Sequence, residues 1–274
     1  MPERQPPLRA GQRREEDTIR VMSVGQAVFA ATIAALGILG LVHADFAPMF
    51  TDAPDTLPGR EALVIIVGAI CVTCGLGLFW RRFAPLAARV LFAFLLLWTL
   101  LVKVSVILMH PLVEGSYQSW GEMAVLVAAA WILLTWFTEE ENSGWARWFT
   151  GHRGVRGARV VFALALLAFG LSHVFYLDLT APLVPAWLHV PVFWAYFTGA
   201  TFFLAGLAIL AGVYARLAAV LAAVQIGLFT VLVWVPMVAS GHISEHRWVE
   251  SVASWVITTA AWVVAESWGV RSKA

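Results

Sequence analysis

Charge is scarce in this chain, and cysteine scarcer still. Only 13% of the 274 residues are Asp, Glu, Lys or Arg, against about 25% in soluble domains. That shortage excludes an ordinary water-soluble globular protein. The two cysteines, Cys71 and Cys74, lie three apart inside one apolar run, which excludes a small secreted fold held by disulfides. A net charge of +1 supplies no basic footprint for nucleic acid. Flavin, nucleotide and iron–sulfur motifs are absent from the sequence, so a redox enzyme complete in one chain is not expected. Strands of about ten alternating residues, the mark of an outer-membrane barrel, are absent as well.

What is present is apolar: 61% of the residues, with a mean hydropathy of +0.81. Eight runs are long enough to cross about 30 Å of hydrocarbon, and the sequence places them near 22–43, 61–80, 84–109, 120–138, 159–177, 191–212, 214–238 and 248–268. A backbone immersed in lipid must satisfy its own hydrogen bonds, so each run is expected as a helix. The first run is longer than the core of a secretory signal and no small-residue cleavage site follows it, so it reads as a retained helix. Residues 1–20, rich in arginine and acids, read as a polar arm.

Arginine and lysine set the expected direction. With the N-terminus inside, fifteen basic residues fall on the cytoplasmic side, Arg60 and Arg247 fall outside, and Lys103 lies within a span. The positive-inside rule then puts both termini in the cytoplasm of a bacterial-type inner membrane. Several of the 14 tryptophans, such as Trp80, Trp136 and Trp268, fall at span ends as interfacial anchors do.

The chain also matches itself at an offset near 130. Gly40-Leu41-Val42-His43 aligns with Gly170-Leu171-Ser172-His173, Gly68 and Gly75 with Gly199 and Gly206, Phe83-Ala84 with Tyr214-Ala215, and Trp120-Gly121-Glu122 with Trp248-Val249-Glu250. The order of these matches implies duplication of a four-helix unit. Because each unit has an even number of spans, the copies are expected to be parallel, related by an axis along the membrane normal. The expected organisation is a cytoplasmic arm 1–20, a first unit 21–138, a cytoplasmic linker 139–158, a second unit 159–268 and a cytoplasmic tail 269–274.

The stretch from Gly170, GLSHVFYLDLTAPLVPAWLHVPVFWAYFTGA, together with Gly206, Gly212 and Leu217-Ala218-Ala219, resembles the DoxX family of four-helix membrane proteins. Residues 37–138 resemble the same unit more weakly. The resemblance implies a quinone-linked redox role, as a membrane subunit beside a partner protein that carries the redox cofactor. Where family members often carry a glutamate in the second helix of the unit, this chain has Cys71 and Phe202.

Candidate chemistry gathers on the outer side, where six of the seven histidines are expected. One pocket is expected in each unit: His43, Lys103 and Glu122 in the first, and His173 with Glu250 in the second, where Trp234 replaces Lys103. An ionisable residue as deep as Lys103 needs a partner, and Glu122 is the expected one. A histidine beside a carboxylate suits a quinone headgroup, and polar bonding between helices is the structural alternative. The first unit, with its lysine, is expected to be the stronger site. His242-Ile-Ser-Glu245-His246 resembles a short zinc string; on a helix His242, His246 and Glu250 would share one face, although a solvated helix start explains the same pattern. Cys71 and Cys74 could cycle to a disulfide, but an apolar surrounding disfavours the thiolate and packing is the expected role. A non-enzymatic transporter, lipid-binding protein or scaffold is the rival class.

Overall fold

The computed structural model describes residues 22–54, 56–138 and 148–269; the arm 1–20, residues 139–147 of the linker and residues 270–274 of the tail lie outside the described residues. Eight helices there are long and apolar enough to cross a membrane. They are α1 (Val24–His43), α2 (Arg60–Gly77), α3 (Ala84–Met109), α4 (Glu114–Phe137), α5 (Gly151–Phe175), α6 (Pro191–Ala211), α7 (Ala215–Ala239) and α8 (Glu245–Glu266). The chain is an all-α polytopic membrane protein. Its flanks carry exposed leucines such as Leu101, Leu204 and Leu221, which water would penalise and lipid accepts.

Local sequence sets the helix ends. Ser23 accepts from the Gln26 amide while Gln26 returns the bond to Ser23, a capping box that starts α1. Pro85 and Pro191 occupy the first turns of α3 and α6, where the missing N–H has no cost. Gly212, at φ +71°, ends α6 in the left-handed conformation. Two starts differ from expectation. Helix α4 begins at Glu114, six residues before 120, and α5 begins at Gly151, eight before 159, so residues 151–158 are helix and not linker.

The two four-helix halves pack alike. In each unit the first and second helices meet at glycines: a Cβ on Gly37 would lie 2.6 Å from the Gly68 carbonyl oxygen, and one on Gly170 would lie 2.9 Å from that of Gly199. One contact further along, Gly75 meets Ala30 and Ala34 as Gly206 meets Ala163 and Leu167. Both third helices loosen into a π-helical turn at the same place, Thr99–Lys103 in α3 and Thr230–Trp234 in α7. Helices α4 and α8 pack on each other, while α4 also packs on α5 and α8 on α1. This reciprocal arrangement is what an axis along the helices generates.

The glycine contacts also correct the sequence alignment. They pair Gly37 with Gly170, an offset of 133, so His173 corresponds to Gly40, and His43 corresponds to Tyr176. The matching Gly-Leu-x-His strings are one helical turn out of register.

Candidate functional site

The two units differ most in the segment after their first helix. In the first unit residues 46–50 are all buried, folded into the bundle as a plug. Phe50 is fully buried, and its ring lies 5.3 Å from Trp98 and 5.7 Å from Phe94, with Phe46 5.4 Å from Trp98. These are edge-to-face and tilted contacts of the favourable kind. Gly40 makes the room, since a Cβ there would stand 3.0 Å from the Asp45 carbonyl oxygen.

Ion pairs fasten the plug at both ends. Asp45 pairs with Arg60 at 2.7 Å, and Asp52 pairs with Lys103 at 2.7 Å. Lys103 also donates to the Ser119 hydroxyl at 2.8 Å, and Ser119 donates to Asp52 at 2.5 Å. Burial by itself would raise the Asp52 carboxyl, but the charge and hydrogen bond of Lys103 and the Ser119 hydroxyl outweigh it and hold it below its ordinary value. For Asp45 burial likewise pushes upward and is overcome by the Phe46 amide and Arg60. The expected Lys103–Glu122 pair is therefore corrected: the partner is Asp52, a loop residue. With the plug seated, the void beside it between α1 and α2 is about 10 Å³.

In the second unit none of residues 176–190 is buried, and the bundle is open. A cavity of about 840 Å³ runs between α6 and α7 beneath this segment, within the range of small-molecule sites. Its walls extend from Trp194 to Ala208 along α6, roughly 21 Å at helical rise. Leu204, Leu221 and Leu228 line it and are also exposed on the lipid-facing flank, so it opens sideways.

The polar end of this cavity is assembled from both units. His173 lines it, with its ring between Phe202 at 5.7 Å and Phe229 at 6.0 Å. His173 Nδ1 lies 2.8 Å from the Phe169 carbonyl oxygen; a carbonyl only accepts, so Nδ1 donates and Nε2 is left for a ligand. Glu250 comes from α8, and Glu122 with Gln118 comes from α4 of the first unit. Glu122 stands eight residues inside α4 and not two, because the helix starts early. Glu122 and Glu250 both line the cavity. One turn deeper than Phe229, Gln225 receives a bond from Thr201 at 2.6 Å and donates to the Thr198 carbonyl at 2.9 Å.

Of the expected site residues, then, His173, Glu122 and Glu250 come together. His43 does not: it is exposed at the end of α1, its Nδ1 occupied by the Leu39 carbonyl at 2.9 Å. Lys103, expected in the first unit's pocket, pairs with Asp52 of the plug, and the open cavity lies in the second unit. The zinc string also fails as a unit, because α8 is capped by Ser244 and starts at Glu245. His242 thus lies outside the helix, bonded to the Ser240 carbonyl, while His246 and Glu250 remain one turn apart. Cys71 and Cys74 are buried free thiols, and Cys71 packs against Gly37. Sequence reasoning missed Asp52 and Ser119 as partners of Lys103, and it missed Gln225, whose signal was a lone amide in the middle of an apolar span.

Compared with known proteins, the chain matches no family model, no curated protein and no solved structure.

Proposed function

We propose that the second unit holds a lipid-phase molecule of the quinone class, and that the chain serves as a membrane subunit for a partner protein carrying the redox cofactor. The observation that supports this reading most is the cavity between α6 and α7, apolar along its length, open toward lipid, and polar at one end. An isoprenoid tail suits the apolar groove, and a ring suits the space beside His173, Phe202 and Phe229. His173 Nε2 and the carboxyl groups of Glu122 and Glu250 would hold the ring oxygens and exchange protons with them. A bound quinone supplies the reversible uptake of electrons; the residues of this chain bind it, orient it and shield it. The DoxX resemblance points the same way. The basic-residue distribution supports a bacterial-type inner membrane with both termini in the cytoplasm, which puts the polar end of the cavity toward the outside.

Titration of the detergent-purified chain with a short-tailed quinone tests this reading. His173→Gln is expected to weaken binding on the order of tenfold, the equivalent of one lost polar contact of about 1.4 kcal/mol, and His43→Gln is expected to change nothing. Equal affinities of both variants and wild type would remove the quinone from this cavity. The sideways opening supports a carrier or lipid-binding role as a second reading, which substrate flux in liposomes without any redox partner would favour.

A further inference from the structure

The charge inventory of the open cavity is unbalanced. Glu122 and Glu250 both line it, and no described lining residue is lysine or arginine. The charged and titratable groups facing the pair are Lys103 from α3, Asp52 from the plug, His173 from α5 and His246 from α8. Lys103 is already neutralised by Asp52 at 2.7 Å. His246 is exposed one turn before Glu250, and His173 has one ring nitrogen committed to the Phe169 carbonyl. Two carboxylates in an apolar cavity at membrane depth are costly unless a proton or a cation compensates them.

The first unit shows how the same bundle fills its own space. There the occupant is a segment of the chain: two phenylalanine rings against Trp98 and Phe94, and a carboxylate against Lys103. In the second unit the aromatic wall persists as Phe202, Phe229 and Trp234, the lysine is gone, and the fixed charges are negative. The complementary occupant keeps the apolar, ring-bearing body and carries the opposite charge. Aromatic faces also attract cations, and a sideways mouth admits molecules dissolved in the bilayer.

We propose that the cavity between α6 and α7 binds lipophilic organic cations, held by Glu122 and Glu250 against the aromatic wall of His173, Phe202 and Phe229. The cation takes the place of a proton on the carboxyl pair, so binding releases a proton and strengthens as pH rises. This inference rests on the cavity and its carboxylates, not on the quinone reading.

Equilibrium binding of tetraphenylphosphonium to the purified full chain at about pH 6 and about pH 8 provides the test. Wild type is expected to bind saturably, severalfold tighter at the higher pH, with proton release in a weakly buffered solution. Glu122→Gln and Glu250→Gln are each expected to lose affinity on the order of tenfold, and the double variant to lose the proton release that accompanies binding. Ala222→Phe fills the cavity from a buried lining position of α7 and leaves both carboxylates in place; it too is expected to abolish binding, which covers the case in which a glutamine variant fails to fold. Absence of saturable phosphonium binding by wild type would overturn the proposal, as would a double glutamine or Ala222→Phe variant binding within about twofold of wild type. A chain that holds quinone but no phosphonium overturns this inference alone, and the converse overturns only the quinone reading.

Discussion

Lys103 shows how far a single residue could be read. Its depth in α3 demanded a partner, and the sequence offered Glu122 because that residue also belonged to a span. The actual partner, Asp52, sits in a connection whose inward fold no hydropathy pattern reveals. Removing Lys103 leaves Asp52 partly buried without its cation, so Lys103→Met is expected to destabilise by about 3 kcal/mol, and Lys103→Met with Asp52→Asn by less. Thermal or denaturant unfolding in detergent checks this cycle; additive losses would mean that the ion pair carries no coupling. The pH dependence has a fixed sign. Asp52 is held below its ordinary value of 3.8, so its contribution is complete above that value and is lost as pH falls through the lower, folded value. Wild type should therefore lose more stability than Asp52→Asn between about pH 4 and pH 2. The histidines carry the other lesson at this scale: two Gly-Leu-x-His strings suggested matching positions, and a one-turn shift leaves His43 exposed at a helix end and His173 in the cavity.

At the scale of elements, the spans were legible from hydropathy and their starts were not. Helix α4 begins early because Glu114 to Ser119 are polar for a reason: the Gly115 amide donates to the Tyr176 hydroxyl, Gln118 lines the cavity and Ser119 holds the plug. Helix α5 begins early because Arg153 and Arg159 are helical residues whose charges find aromatic faces, Arg153 over Trp148 at 4.7 Å and Arg159 over Trp268 at 4.0 Å. An apolar window reads both stretches as loop. The plug itself left no periodic signal, being a run of Phe46, Ala47, Pro48, Met49 and Phe50 between two helices. Phe50→Ala is expected to cost on the order of 3 kcal/mol, since a fully buried ring is lost from a closed pocket. A melting temperature unchanged by this substitution would mean that the plug does not stabilise the first unit.

For the whole molecule, two four-helix halves that pack alike are unequal inside. One fills its interior with its own chain; the other leaves a cavity completed by Glu122 and Gln118 of the first. The parallel arrangement was legible from the even span count and the order of repeated glycines, while the inequality lay in loops that the repeat does not cover. The proposed orientation rests on the basic bias: a reporter after Ala274 should be cytoplasmic and one inserted at Leu183 external, and reporter activity on the opposite sides would reverse the proposed direction. The central proposal, a ligand cavity in the second unit, is tested most directly by native mass spectrometry of the gently extracted chain supplied with a short-tailed quinone. One quinone per chain is expected for wild type and for His43→Gln, and none for Ala222→Phe; two per chain, or one retained by Ala222→Phe, would contradict the account.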